Sequence, residues 1–301
     1  MDCYELPNQK MSSLVNKITI SPEEKNSFTE NGFVKLKKLF TDETIDKLRN
    51  LIAQSHQVKR VSESYSGDFS RVGYDLENGV TKKIYFHENF KDTLKQLIEN
   101  ELIFTQGVGF ELKPNRKGFH FHLDLVSFNF IKPEDLGYSL WIPLVPINTK
   151  DQHGGMAYVP RKAYPTSGYY ALRYELIQHK DFAEFCQSEE FNYFEFFHAS
   201  KVEEMVLDKN KVEDSFEVGD ALLLDKFVWH RSVPLLEGKL PSRMAYTMRF
   251  VDSQTRYSKI FLDGLYYLIK SNGDLNLTSF GYKFTDLKEG DLISKSKFVS
   301  C

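Results

Sequence analysis

The sequence predicts a mainly β fold with α additions, an antiparallel barrel or sandwich, and three observations carry that expectation. From about residue 104, short apolar runs alternate with turns rich in Gly, Pro, Asn and Asp, the spacing of antiparallel strands. Amphipathic helical text precedes this region. A segment at about 165–215, rich in aromatics and acids, interrupts it without alternation and reads as a helical insertion packed on the outside.

In chain order, residues 1–20 lack periodicity and read as a loose N-terminal arm, and 21–301 as a single domain containing the insertion. Ser21 suits an N-cap, Pro22 the first helical position, and Glu23 and Glu24 the first turn, so a helix starts here and ends at Asn31-Gly32. "FVKLKKLF" alternates as a strand. Behind Thr41 as cap, Ile45, Leu48, Leu51 and Ile52 recur at helical spacing. Residues 58–89 are polar and weakly periodic, as expected of loops with short strands forming a lid or substrate wall. "FKDTLKQLIENELI" is a further amphipathic helix. The expected strands are "TQGVGFEL", "FHFHLDLVSFNF", "YSLWIPLVPI", "GGMAYVP", "ALLLD", "FVWHRSV" and "SRMAYTMRFVD".

Composition narrows the function classes. Hydrophobic residues make up 41% of 301, with 25 Phe and 16 Tyr, enough apolar surface to offset the ordering entropy of a folded chain. The net charge of -3 comes from interspersed acids and bases, so no basic stripe marks nucleic acid or anionic lipid as partner. A small-molecule ligand is the better expectation. Cys3, Cys186 and Cys301 are far apart and lack metal-ligand spacing, which suits a reduced, cytoplasmic setting. The N-terminus has no apolar leader core, and no run approaches the roughly 20 apolar residues that span a bilayer.

The chemistry concentrates in "GFHFHLDLVSFNF". Read as a strand, its alternate residues His120, His122 and Asp124 project together. Burying even a neutral polar group without partners costs roughly 2–7 kcal/mol, so something must compensate this set. A divalent metal would do so: His and Asp two apart occupy adjacent positions, and a His from another strand completes the two-His, one-carboxylate triad with open positions. "FVWHRSVP" offers His230 for that place. In "PSRMAYTMRFVD", Arg243, Ala245, Thr247 and Arg249 share one face and Met244, Tyr246, Met248 and Phe250 the other. A basic, small-residue face opposite an apolar one is the pattern of an anion-binding interior.

With these residues in view, the chain resembles the phytanoyl-CoA dioxygenase family of Fe(II)- and 2-oxoglutarate-dependent oxygenases. The likeness runs from "ENGFVKLKKLFTDETIDKLRNLI" to "RMAYTMRFVD". It implies a double-stranded β-helix, a jelly-roll or cupin-like barrel flanked by N-terminal and inserted helices. It also implies His122, Asp124 and His230 as the metal ligands and catalytic centre, with His122 rather than His120 beside Asp124 because H-x-D leaves one residue between those two ligands. Arg243 takes the position of the Arg that grips the far carboxylate of 2-oxoglutarate. Ser232 in "HRS", Trp141 in "SLWIPL" and Lys113 in "ELKP" resemble positions lining the co-substrate pocket. The implied reaction couples conversion of 2-oxoglutarate and O2 to succinate and CO2 with oxidation of a small-molecule substrate. Because Asp124 leaves no vacancy for a halide, hydroxylation is favoured over halogenation, while desaturation, ring closure and epimerisation share its beginning. With Fe(II), Asp124, 2-oxoglutarate and Arg243 counted, the site sums to zero charge, which a buried site tolerates.

The chain departs from the family where "VPRKAYP" replaces a Pro-Gly-Ser-His turn. His120 reads as a supporting or substrate-facing residue, and Arg161 and Tyr85 as substrate contacts in loops near the opening. His153 reads as a turn residue, and His56, His87, His179 and His198 as surface or packing residues. Two rival functions stand beside this one: a metal enzyme on the same barrel that needs no 2-oxoglutarate and is indifferent to Arg243, and a non-catalytic binding protein with a degenerate site.

Overall fold

The computed structural model describes residues 13–54, 68–73, 79–271 and 283–299. Two antiparallel sheets organise it. The larger has six strands in the order β1 (Phe33–Leu36), β7 (Ala221–Asp225), β4 (Gly137–Pro143), β9 (Arg243–Asp252), β3 (Leu102–Leu112) and β2 (Arg71–Gly73). The smaller has β6 (Val212–Glu213), β5 (Met156–Tyr158) and β8 (His230–Ser232). Neither closes on itself, and together they form a jelly roll with a cavity between them.

The period-2 pattern of β9 explains its double role. Tyr246, Met248 and Phe250 pack outward with Leu140, Ile142 and Leu223 into the core beneath the N-terminal helices. Those helices are α1 (Pro22–Asn31), α2 (Asp42–Gln54), α3 (Gly79–Phe86) and α4 (Glu88–Lys95). Burying each such side chain contributes about 1.5–3 kcal/mol. The other face of β9 is Arg243, Ala245, Thr247 and Arg249, which in register meet Leu112, Phe110, Val108 and Gln106 of β3. Across β4, Thr247 and Arg249 face Trp141 and Ser139.

Helix α1 starts as its sequence dictates. Ser21 and Glu24 form a reciprocal capping box, Pro22 opens the helix, and Gly32 ends it at φ 80°, where a left-handed conformation favours glycine. The insertion is helical: α5 (Ser167–Gln178), α6 (Phe182–Phe185), α7 (Tyr193–Phe197) and α8 (Lys201–Asn210). Its aromatics form a second core with α9 (Lys259–Ser271), Phe121 and Trp229.

Three expectations are corrected. Residues 13–20, expected as part of a loose arm, lie against the body: Val15 is fully buried and bridges Phe40, and residues 1–12 fall outside the described residues. Within 58–89, expected as loops and short strands, β2 is present, but α3 forms where a loop was expected; 58–67 and 74–78 fall outside the described residues. The third correction matters most: "FHFHLDLVSFNF" is not a strand. His122 makes isolated bridges to His230 and His198, and the chain then turns, with Ser127 and Phe128 donating to the Asp124 carbonyl at 3.1 Å. No helix among the described residues is long and apolar enough to cross a membrane.

Candidate active site

The convergence of His122, Asp124 and His230 depends on a local irregularity. Ser232 N–H donates to the Phe119 carbonyl at 3.0 Å, while His122 and His230 exchange backbone bonds at 3.0 and 3.1 Å. Three residue steps on one side therefore oppose two on the other, the signature of a bulge. The extra residue breaks the alternation that would have put His120 beside His122. His120 instead faces outward, its Nδ1 at 3.2 Å from Glu204 on α8. Gly118, at φ 66°, permits the approach, since a Cβ there would come within 2.4 Å of Ser232.

His122, Asp124 and His230 are all buried, and one donor atom from each lies within 4.8 Å of the others. Their imidazoles are oriented by the backbone. His122 Nδ1 lies 2.8 Å from the His120 carbonyl, and His230 Nδ1 lies 2.9 Å from the Val228 carbonyl. A carbonyl only accepts, so each Nδ1 carries a proton and each Nε2 is the nitrogen left for the centre. Burial, reinforced by neighbouring His230, keeps the His122 imidazole well below its ordinary pKa and neutral. Asp124 goes the other way. Burial opposes its charge, but the Arg249 guanidinium, His230, His122 and the Ser139 hydroxyl together hold its carboxyl below the usual carboxylate range. Arg249 Nη2 donates to Asp124 Oδ1 at 3.2 Å and Ser139 Oγ to Oδ2 at 2.6 Å. Two imidazoles with their Nδ1 protons turned to backbone carbonyls and one locked carboxylate form a donor set that fits a divalent ion of the Fe(II) kind.

The same cavity is lined by Trp141, Ser232, Arg243 and Arg249 as well as the three donors. Arg243 is 2% exposed. Its Nε donates to the Gly154 carbonyl at 2.7 Å, and its guanidinium lies 5.8 Å from the Trp141 ring. No carboxylate among the described residues pairs with it. Burial lowers its pKa to about 10, so it stays charged at neutral pH and is suited to receive an anion. Ser232 Oγ accepts from the Phe119 N–H at 3.1 Å, which leaves its own proton directed by whatever fills the cavity.

Besides the outward-facing His120, three sequence-predicted residues lie away from this cavity. Lys113 is exposed in the turn after β3. Tyr85, on α3, donates to the Leu102 carbonyl at 2.8 Å and packs by Phe104 and Phe250 on the other side of the large sheet. Arg161 bonds Asp225 and the Thr29 carbonyl, tying α1 to β7. The structure adds residues that the sequence reading left out. Arg249 was on the predicted inner face without a role; counting it leaves the site with Fe(II) and 2-oxoglutarate one positive charge in excess of zero. His198 is 2% exposed, stacks on Phe194, and bridges His122 through the backbone. It lies inside an aromatic run with no metal-ligand spacing, so nothing in the sequence singled it out.

The family model of the phytanoyl-CoA dioxygenases matches residues 28–244. The chain belongs to the phytanoyl-CoA dioxygenase family. It is an Fe(II)- and 2-oxoglutarate-dependent oxygenase, with O2 as the other co-substrate. No curated protein matches it by sequence. Among solved structures, the carbocyclase SnoK from nogalamycin biosynthesis is 13% identical with a TM-score of 0.58, over 90% of this chain and 92% of that one. The epimerase SnoN from the same biosynthesis, in complex with Fe3+, alpha ketoglutarate and nogalamycin RO, is 14% identical with a TM-score of 0.58, over 90% and 94%. EctD from S. alaskensis, in its apoform, is 14% identical with a TM-score of 0.55, over 83% and 84%. At these identities the likeness is one of fold, and it agrees with the jelly roll described above.

Proposed function

We propose that this member of the phytanoyl-CoA dioxygenase family hydroxylates a small metabolite, releasing succinate and CO2, as one domain over 21–301 working in the cytoplasm. The observation that carries the reading is the meeting, in one cavity, of the buried His122-Asp124-His230 set with a buried Arg243 that no carboxylate among the described residues pairs with. A metal enzyme independent of 2-oxoglutarate would have no use for that uncompensated guanidinium.

His122, Asp124 and His230 would hold Fe(II), and Arg243 the far carboxylate of 2-oxoglutarate, with Ser232 and Trp141 beside it. Bound Fe(II) supplies the activation of O2 that couples 2-oxoglutarate decarboxylation to substrate oxidation. The chain's own residues do the rest. The His120 and Val228 carbonyls fix the tautomers of His122 and His230. Ser139 and Arg249 lock Asp124, so that it presents its remaining lone pairs in one orientation. Phe69, Phe110 and Phe119 pack on one another at ring distances of 4.8–5.7 Å and shield one side of the cavity from water.

Hydroxylation is tested with 18O2. Enzyme supplied with Fe(II), 2-oxoglutarate and a metabolite extract should yield a product heavier than its precursor by one labelled oxygen. A product lighter by two hydrogens, with equal succinate formed, would replace hydroxylation by desaturation or ring closure.

A further inference from the structure

We infer that Gln106 is a positioning residue for the candidate metal centre: its neutral amide holds the Arg249 guanidinium against Asp124, so that the positive charge of Arg249 stays directed undivided at that carboxylate. The inference rests on the functional reading above, which puts a divalent metal on His122, Asp124 and His230.

A bulge brings Gln106 to this place. In an unbroken strand it would share a face with Phe104, two residues earlier, and Phe104 lies on the outer face, its ring 5.7 Å from that of Phe250. Strand β3 carries one extra residue, however. Phe104 is opposite Phe250 and Gln106 is opposite Arg249, the next residue back along β9, with Thr105 left over between them. One extra residue turns the side chains beyond it to the other face. Gln106 thereby meets Arg249 on the inner face, and the Thr105 hydroxyl fastens the bulge by donating to the Arg249 carbonyl at 3.2 Å.

Three side chains then form a relay. Arg249 Nη1 donates to Gln106 Oε1 at 3.1 Å, and Arg249 Nη2 donates to Asp124 Oδ1 at 3.2 Å. Gln106 is 1% exposed and Arg249 8%, so bulk water competes little for either bond. Arg249 and Asp124 line the cavity and Gln106 does not. Its influence on the centre therefore passes through the guanidinium.

An amide is an awkward choice for holding an arginine here. Gln106 Nε2 and Arg249 Nε are buried and have no hydrogen-bond partner among the described residues, and a buried donor left unsatisfied is costly. A glutamate at 106 would accept the same bond from Nη1 and carry no orphaned amide hydrogens. It would also divide the guanidinium between two carboxylates, whereas Asp124 is now the one carboxylate paired with Arg249 among the described residues. A local rule broken beside a site marks a functional demand. The demand met here is an Asp124 fixed in orientation, and restrained in its donation to a metal, by a whole positive charge.

Two substitutions separate the place of the guanidinium from its charge. Gln106→Met keeps the volume and removes the acceptor, and Gln106→Glu keeps the acceptor and adds a charge. Mn(II) affinity is read from the melting temperature without 2-oxoglutarate. The visible charge-transfer band is then read on anaerobic protein with Fe(II) and 2-oxoglutarate. In Gln106→Met the Mn(II) dissociation constant should rise about tenfold, because Asp124 is no longer steadied. In Gln106→Glu the constant should not rise, and the band should move to longer wavelength. A carboxylate relieved of part of the guanidinium's pull donates more to iron, and charge transfer from iron to 2-oxoglutarate then takes less energy. Wild-type Mn(II) affinity in folded Gln106→Met, or an unmoved band in Gln106→Glu, overturns the assignment. If Gln106→Met does not fold, the band in Gln106→Glu decides alone. Failure of the wild type to bind Mn(II) or to form the band overturns the functional reading instead, and is seen before any variant is measured.

Discussion

Arg243 is held in place by a hydrogen bond from its Nε to the Gly154 carbonyl at 2.7 Å. Gly154 has φ 83°, and a Cβ there would meet Leu235 Cδ1 at 2.7 Å. Gly154→Ala should therefore move the carbonyl that aims the guanidinium. The expected result is a 2-oxoglutarate dissociation constant raised about tenfold, with a stability loss of about 1–3 kcal/mol, read by anaerobic titration and by urea unfolding. The Asp124–Arg249 pair gives a second prediction. Its side chains are only 5% and 10% exposed, and breaking a buried pair by removing one partner costs about 3–5 kcal/mol. In the metal-free protein, Asp124→Ala should lose more stability than the double variant Asp124→Ala, Arg249→Met, a coupling of about 0.5–3 kcal/mol; strictly additive losses would contradict it. At this scale the triad residues and Arg243 were legible from spacing and from the family likeness, because they sit at fixed offsets in the chain. Arg249 and His198 were not, because each is defined by its contact across the fold. Lys113, Tyr85 and Arg161 were misplaced because exposed and loop positions say little about which cavity a side chain reaches.

At the scale of elements, the segment 118–130 shows where sequence reading stops. Its alternating His and Asp residues gave the period of a strand, but Leu125–Phe130 turn back on Asp124, and the bulge opposite β8 sends His120 outward. A bulge depends on the partner strand, which a one-dimensional period does not contain. By contrast, α1 and β9 followed from capping chemistry and period 2 alone. The turn between β7 and β8 carries a pH prediction. Lys226 is buried and donates to the Pro133 and Lys132 carbonyls at 2.8 and 3.2 Å. Burial lowers its pKa to about 7, opposed by Asp135, Glu134 and Asp225. Since the unfolded chain holds this proton to about pH 10.5 and the folded one releases it near 7, folding becomes more favourable as pH rises through that interval. The melting temperature of the wild type should thus rise between pH 7 and 9.5 relative to that of Lys226→Met, by about a few degrees. Parallel pH profiles for the two proteins would contradict this.

For the molecule as a whole, the proposed metal ligands join parts that no continuous sheet connects. His230 belongs to the small sheet, His122 bridges both it and the helical insertion, and Asp124 is tied through Ser139 and Arg249 to the large sheet. An ion held by all three would cross-link the two layers of the jelly roll. Binding to the folded state alone stabilises by about 2.7 kcal/mol at a hundredfold excess over the dissociation constant. Anaerobic Fe(II), or Mn(II) as a redox-stable substitute, should therefore raise the melting temperature by about 5 °C, and the rise should vanish in His122→Ala and His230→Ala. A rise that survives either substitution would place the ion elsewhere.

The central claim is that one cavity brings together a metal held by His122, Asp124 and His230 and a 2-oxoglutarate held by Arg243. Its most direct test is titration of 2-oxoglutarate into anaerobic, Fe(II)-loaded protein while the visible metal-to-ligand charge-transfer band is followed, in the wild type and in Arg243→Met. The account predicts a saturable band in the wild type and the same band in the variant only at about tenfold or more higher 2-oxoglutarate. No band in folded, iron-loaded wild type, or an unchanged midpoint in Arg243→Met, would contradict it.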